Sequence, residues 1–256
     1  MPIRPQRPRA NGHTIASPQD NTWLTEQPSR AAAYLAIADL VLAERARIAT
    51  ILVGIFRYHF KGRRNLSLLD LGCGDGVLTE KIRRNHPGHT FHLMDGSEIM
   101  IQEATRRLGD GVSFIHQTFE DYTESPPRKG SYDFIYSANA IHHLDLPGKR
   151  GLYRKIHQET REGGCFLNAD PVQPSSERSE KWMFEMWTDW INETLRKKGM
   201  ENQVGKYDRL PSIYKEAPEN KPSTLRRQLE ILEEIGFSDV DCYYKYGIFA
   251  LFGGTR

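Results

Sequence analysis

Short apolar runs alternate with amphipathic stretches along most of the chain, and this alternation constrains the fold more than any other feature. Five runs have the length of strands: LSLLDLG (66–72), TFHLMD (90–95), VSFIHQ (112–117), YDFIYSA (132–138) and GGCFLNAD (163–170). Helices are predicted near 76–85, 97–108 and 147–161, a polar connection after the third run and a long helical region after the fifth. Strands alternating with helices predict a parallel sheet covered on both faces, whose ligands bind at the carboxyl ends of the strands.

The C-terminal region has a different pattern. A predicted helix over 223–237 precedes DVDCYYKYGIFALFGG, which we interpret as two strands separated by a short turn near Lys245 to Gly247. Strands joined by so short a turn must be antiparallel. The sheet is therefore expected to end in a hairpin.

The chain divides into three parts by composition. Residues 1–22 are rich in proline and arginine and poor in apolar residues, which predicts a disordered tail. Residues 23–62 contain apolar positions at intervals of three and four, typical of amphipathic helices. Residues 63–256 then form the main domain, with a helical cap inserted at about 174–221.

Composition excludes several classes of partner and environment. The 35 basic and 33 acidic residues give a formal net charge of only +2, so no overall field favours nucleic acid or membrane. The three cysteines lie far apart, and no apolar run approaches membrane-spanning length. We expect a cytoplasmic protein with a small-molecule substrate and no metal; a homodimer is compatible with the sequence, which leaves the oligomeric state open.

The first predicted strand leads into a glycine-rich loop, LLDLGCGDG (68–76). A dinucleotide site would require a small third position in G-x-G-x-x-G, and that position is Val77. Asp95 ends the second predicted strand, where a carboxylate would accept hydrogen bonds from both hydroxyls of a ribose. The glycine-rich loop and Asp95 together favour a cofactor that contains adenosine, but they do not distinguish among such cofactors.

The order of these motifs resembles that of the class I methyltransferases that use S-adenosylmethionine. The resemblance covers about residues 66–256 and includes GCGDG, MDGS one strand later, SANAIHHL after the fourth strand, and the closing helix and hairpin. It implies a Rossmann-like α/β sheet of seven mostly parallel strands in the order 3-2-1-4-5-7-6, with strand 7 antiparallel. Nine residues are thereby expected to bind the cofactor: Asp70, Gly72, Gly74, Asp95, Gly96, Met100, Thr118, Phe119 and Ala138.

One position departs from the pattern of that family. Many members place an aspartate after the third strand, where it accepts a hydrogen bond from the adenine amino group. Thr118 and Phe119 stand there in this chain, with Glu120 and Asp121 close by. A threonine hydroxyl can accept such a bond and a phenylalanine ring can stack on the purine.

Candidate residues for the acceptor are fewer. Adjacent histidines such as His142 and His143 rarely chelate one metal ion, so the pair does not predict a metal site. His142 is instead a candidate base or substrate contact. Trp187 and Trp190, in the predicted cap, either fasten it to the N-terminal helices or line the acceptor pocket, and Arg209 could contact an anion. Methyl transfer needs mainly alignment and exclusion of water, so the lack of an evident acid–base pair is compatible with it.

The sequence leaves three functions open. The first is methyl transfer from S-adenosylmethionine to a small molecule. The second is the chemistry of carboxy-S-adenosylmethionine synthases, which the resemblance also includes and which needs a basic residue for a carboxylate. The third is a cofactor-binding regulator without catalytic activity. A nucleic-acid methyltransferase is disfavoured because SANA stands where such enzymes carry a proline-rich aromatic motif.

Overall fold

A computed structural model describes the backbone of residues 28–256 and the side chains from residue 31 onward. The predicted tail, 1–22, and the first residues of the predicted helical segment lie outside the described residues. The helices are α1 (Pro28–Val41), α2 (Arg45–His59), α3 (Val77–Asn85), α4 (Glu98–Leu108), α5 (Phe119–Glu124), α6 (Leu146–Glu159), α7 (Glu177–Lys197), α8 (Leu210–Glu216) and α9 (Leu225–Ile235). The strands are β1 (Ser67–Leu71), β2 (Thr90–Asp95), β3 (Val112–His116), β4 (Tyr132–Ala138), β5 (Thr160–Pro171), β6 (Ser238–Tyr246) and β7 (Phe249–Thr255).

The seven strands form one sheet in the order β3-β2-β1-β4-β5-β7-β6. Strands β1 to β5 pair in parallel, whereas β7 runs antiparallel to both β5 and β6. The predicted fold class, strand order and closing hairpin are confirmed. Because β2 and β4 flank β1 on opposite sides, the chain reverses direction across the sheet there, which opens a crevice at the carboxyl ends of β1 and β4.

Both faces of the sheet are buried, as expected for parallel strands. Adjacent residues of a strand point to opposite faces, and the neighbours Leu68 and Leu69 are both fully buried, as are Phe134 and Ile135. Helix α2 covers one face, where the rings of Phe56 and Phe134 lie 5.2 Å apart between centroids. Helices α6 and α9 cover the other face.

Helix α5 was not expected, since the sequence predicted only a polar connection there. Thr118 caps it by accepting a hydrogen bond from the amide of Asp121 over 3.1 Å. Its buried anchor is Tyr122, whose hydroxyl donates to Glu159. A six-residue helix with one buried anchor has too short an apolar pattern for its period to be recognised.

Two further differences concern the ends of elements. Strand β5 extends from Thr160 to Pro171, four residues longer than predicted, and a register shift in its pairing with β4 accommodates its start. Helices α7 and α8 lie between β5 and α9, in the segment predicted as an inserted cap. Within residues 28–256, no helix combines the length and apolarity needed to cross a bilayer.

Candidate active site

A cavity of about 540 Å³ opens at the carboxyl ends of the central strands. Its floor comes from the segments that follow β1, β2, β4 and β5, and helices α1 and α2 contribute the opposite wall. The volume lies within the range of roughly 300–1,000 Å³ that is usual for small-molecule sites. The crevice predicted by the topology is therefore present.

The glycine loop between β1 and α3 brings backbone against the cavity. Gly72 has φ +70°, and its amide donates to the carbonyl of Met94 over 2.8 Å. A Cβ on Gly72 would lie 2.3 Å from the Cβ of Ala140, so no other residue fits without a shift. Gly74, with φ +53°, has open space where a Cβ would be. The loop thus packs against the turn after β4 at Gly72 and leaves room for a ligand at Gly74.

Asp95 connects the glycine loop to the end of β2. Its Oδ2 accepts from the amide of Gly74 at 2.8 Å, and its Oδ1 accepts from the amide of Ser97 at 2.9 Å. Burial raises the pKa of the carboxyl, and the amide hydrogen bonds act in the opposite direction. Each oxygen keeps an acceptor position beyond its amide, which is the arrangement that holds two neighbouring hydroxyls.

Asp70 is the most buried carboxyl beside the glycine loop. Its Oδ2 accepts a hydrogen bond of 2.6 Å from the hydroxyl of Thr79. Burial raises its pKa to about 7, with the charges of Asp95 and Asp75 acting in the same direction. A cation entering the cavity would favour the ionised form of Asp70.

The segment after β3 forms another part of the wall. The hydroxyl of Thr118 donates to the carboxylate of Asp121 at 2.9 Å and also caps α5, so much of its hydrogen-bonding capacity is used within the helix. The ring of Phe119 approaches the glycine loop, since a Cβ on Gly72 would lie 3.3 Å from it. Gln117 and Glu120 line the cavity beside them. Sequence reasoning missed Gln117.

The nine residues predicted to bind the cofactor are brought together around this one cavity. All of them line it: Asp70, Gly72, Gly74, Asp95, Gly96, Met100, Thr118, Phe119 and Ala138. Their individual roles remain proposals.

The structure does not bring His142 to the cavity. Its ring is buried, and its Nδ1 lies 2.7 Å from Oδ1 of Asp170. The neighbouring His143 lines the cavity instead, with Nδ1 facing the carbonyl of Glu219 at 3.2 Å. Burial, and then the adjacent His142, lower the pKa of His143 to about 3, so its imidazole is neutral near pH 7. The contact of His142 with Asp170 fastens the turn after β4 to the end of β5, and the role of His142 as a base or substrate contact stays a prediction.

The predicted acceptor contacts from the cap also lie elsewhere. The indole N–H of Trp187 donates to the carbonyl of Val41 over 2.7 Å, and that of Trp190 donates to the carboxylate of Glu44 over 3.0 Å. Both indoles fasten α7 to the N-terminal helices, which is the packing alternative weighed from the sequence. Arg209 is exposed at the start of α8 and does not line the cavity.

Other lining residues were not anticipated. Tyr34 and Arg45 come from the N-terminal helices, whereas Glu219 and Lys221 come from the segment after α8. None belongs to a motif, and their approach depends on how the helices fold over the sheet. The one available signal was the length of the insertion that contains Glu219 and Lys221.

Comparison with known proteins gives a family match in this region. Residues 68–164 match the family model described as a methyltransferase domain. Carboxy-S-adenosyl-L-methionine synthase of Nautilia profundicola is 26% identical over 191 residues, which cover 72% of this chain and 75% of the synthase. Malonyl-[acyl-carrier protein] O-methyltransferase 1 of Ilyobacter polytropus is 32% identical over 85 residues, 32% of this chain and 30% of that protein.

A solved structure agrees with the fold. The crystal structure of a SAM-dependent methyltransferase from Archaeoglobus fulgidus superposes with a TM-score of 0.55 at 19% identity, covering 82% of this chain and 76% of that one. Residues 68–164 therefore belong to a methyltransferase domain, and the strand order is that of the class I S-adenosylmethionine-dependent methyltransferases, which these similarities support. S-adenosylmethionine is accordingly its cofactor.

The residues present fit that cofactor. Asp95 offers acceptors for two ribose hydroxyls, and Gly74 leaves open space beside it. The carboxyl of Asp70 would stabilise a positive charge near the glycine loop. Val77 stands where the dinucleotide fingerprint needs a small residue for close packing of helix on strand, which agrees with a cofactor other than a dinucleotide.

Proposed function

We propose that the chain transfers the methyl group of S-adenosylmethionine to a small-molecule acceptor. The observation that carries the proposal is that one cavity joins the carboxyl ends of β1 and β2, lined by Gly74 and Asp95, to those of β4 and β5, lined by Asn139 and Asp170. A nucleoside bound at the first end leaves the second end for another molecule. The acceptor would then meet the cofactor inside one enclosed space.

The residues of the first end would hold the cofactor. Asp95 would accept from the ribose hydroxyls, while Met100 and Phe119 would pack along the adenine. Gly72 and Gly74 would bring backbone against the amino acid portion, beside the Asp70 carboxylate. When bound, S-adenosylmethionine supplies a methyl group activated by the sulfonium charge.

The residues of the second end would align the acceptor and exclude water. Ala138 and Ala169 line the passage between the two ends, and Leu144 and Phe249 add apolar surface. In-line displacement gains most from such positioning in a dry cavity. The imidazole of His143 is neutral near pH 7, so it could accept a hydrogen bond from the substrate that receives the methyl group. Its low pKa means that it would bind a proton only weakly.

The proposal is tested with the full chain and S-adenosylmethionine that carries an isotopic label in the methyl group. Small metabolites from a filtered cell extract serve as acceptors. We expect label to appear in a small molecule as S-adenosylhomocysteine accumulates. Cofactor binding without any transfer would favour the regulator, and absence of binding would contradict the proposal altogether.

A second function is favoured by two specific observations. The carboxy-S-adenosyl-L-methionine synthase of Nautilia profundicola aligns over 72% of the chain, and Lys221 places a cation on the cavity wall where a carboxylate could bind. Arg209, the cation expected from the sequence, lies outside the cavity. We therefore keep synthesis of a carboxylated cofactor as the alternative, with Lys221 as its carboxylate contact.

The nucleoside that copurifies with the protein distinguishes these functions. Gentle purification followed by mass spectrometry identifies it without knowledge of the second substrate. S-adenosylmethionine or S-adenosylhomocysteine supports methyl transfer. Carboxy-S-adenosylmethionine would instead support the alternative.

A further inference from the structure

We propose that the end of the cavity at β4 and β5 binds a zwitterionic small molecule, whose amine contacts Glu219 and whose anionic group contacts Lys221. This inference rests on the proposed function, because it names the substrate class for the same cavity. The inference depends on which charged side chains of the cavity wall already have hydrogen-bond or ion-pair partners within the protein.

The cations of the wall differ in their partners. Arg45 pairs with Asp39 at 2.6 Å. Lys81 donates to the hydroxyl of Thr50 at 2.9 Å and also to the carbonyl of Ala46. Within the described side chains, no hydrogen bond or ion pair engages the ammonium of Lys221. Lys221 is therefore the lysine or arginine of this wall that is open to an anion.

Most carboxylates of the wall are also engaged. Asp75 pairs with Arg107, Asp95 holds two amides, and Asp170 binds His142. Glu219 differs, because its Oε1 is buried and has no hydrogen-bond partner among the described residues. A buried acceptor without a donor is costly, so a ligand that brings a donor would be favoured.

Backbone hydrogen bonds hold the segment that carries both groups. The amide of Lys221 donates to the carbonyl of His142 at 2.9 Å, and the carbonyl of Lys221 accepts from the buried ammonium of Lys149 at 2.6 Å. The carbonyl of Glu219 accepts from His143. The segment is thus fixed to the turn after β4, at the end of the cavity opposite the predicted ribose contact.

Glu219 and Lys221 are close enough for one small ligand to reach both. They are separated by one residue, so their Cα atoms lie within about 7 Å of each other. No ion pair joins their side chains among the described contacts. Two opposite charges that do not neutralise each other are complementary to a molecule that carries the reverse pair.

Other buried polar atoms of the described residues lack partners, in this segment, in α8 and on β5. Tyr214 Oη and Asn220 Oδ1 are buried without partners in the described part of the chain, as is Asn168 Oδ1 on β5. The two amide oxygens are acceptors only, as is Glu219 Oε1, whereas the tyrosine hydroxyl can also donate. Of these residues only Glu219 lines the cavity, and a ligand with an N–H donor suits its carboxylate better than a simple anion does.

The test uses the full chain saturated with S-adenosylhomocysteine and three fragments of similar length: 4-aminobutyrate, butylamine and butyrate. Ligand-observed NMR gives each dissociation constant. We expect 4-aminobutyrate to bind most tightly. Glu219→Gln should weaken it about tenfold, because it removes a charged hydrogen-bond acceptor. Lys221→Met should weaken it about threefold, because this cation is exposed to solvent.

Matched controls are available outside the cavity. Glu216→Gln and Lys206→Met change exposed residues and should leave all three constants unchanged. Butyrate binding as tightly as 4-aminobutyrate, with no effect of Glu219→Gln, would overturn the inference. So would normal S-adenosylhomocysteine binding with no fragment bound. Failure to bind S-adenosylhomocysteine would count against the proposed function itself.

Discussion

The amide of Gly74 donates to Oδ2 of Asp95 over 2.8 Å, which ties the glycine loop after β1 to the end of β2. Two motifs separated by 21 residues in the chain therefore form one structure. The hydrogen bond orients the carboxylate before any ligand arrives. Such preorganisation lowers the cost of binding.

Asp95→Asn should weaken binding of S-adenosylmethionine by at least about tenfold. The change removes the negative charge and turns one acceptor into a donor that faces the amide of Gly74 or Ser97. Isothermal titration calorimetry measures the effect. Glu98→Gln, an exposed change at the start of α4, is the control. Equal affinities in the two variants would exclude Asp95 as a cofactor contact.

Gly72→Ala should destabilise the protein and impair cofactor binding. The new Cβ would clash with Ala140, and the residue would also have to adopt a positive φ. We expect a loss of about 1–3 kcal/mol from overpacking, seen as a lower melting temperature. Gly88→Ala is the matched control, because it has φ +86° but open space around the Cβ. Similar losses in both variants would show that backbone strain alone is responsible.

Cofactor affinity should depend on pH through Asp70. In the empty protein its pKa is about 7, and a bound cation would lower it. The affinity should therefore be highest above pH 7 and should fall, by up to about tenfold per pH unit, as Asp70 becomes protonated below it. Asp70→Asn should remove this dependence. A wild-type affinity that stays constant between pH 5.5 and 8 would refute the role of Asp70.

The same carboxyl should make the empty protein less stable at higher pH. Because folding raises its pKa above the ordinary value of 3.8, its favourable contribution is complete below that value and is lost as pH rises through about 7. Asp70→Asn should thus melt at a higher temperature than wild type at pH 8, with a smaller difference at pH 5. Scanning calorimetry without cofactor measures this, and an equal melting temperature at pH 8 would contradict it.

Trp187 should matter for stability more than for ligand recognition. Trp187→Phe removes the donor for the carbonyl of Val41 and leaves that buried acceptor unpaired, at a cost of about 1–3 kcal/mol. Acceptor binding measured well below the melting temperature should change little. Trp182→Phe is the control, because Trp182 is largely exposed. A Trp187→Phe protein that is as stable as wild type but no longer binds the methyl acceptor would contradict this and support Trp187 as an acceptor contact.

The parts of this protein that follow from local sequence were predictable. Buried parallel strands such as β1 and β4 are continuous apolar runs, and the loop around Gly72 requires glycine because of a positive φ and a close approach. The closing hairpin follows from the short turn between β6 and β7. These features depend on residues near each other in the chain.

The acceptor end was not predictable in the same way. His142 and His143 are adjacent and chemically identical, and only tertiary packing decides that one binds Asp170 while the other lines the cavity. Glu219 and Lys221 lie in a segment without periodicity. The tryptophans of α7 were conspicuous in the sequence because they are large, and large aromatic residues serve packing as readily as binding.

A crystal structure with S-adenosylhomocysteine tests the central claim most directly. The account predicts the two ribose hydroxyls on the carboxylate of Asp95, the amino acid portion along Gly72 and Gly74, and open space between the sulfur and Glu219. A nucleoside bound outside this cavity, or one whose ribose lies away from Asp95, would contradict it.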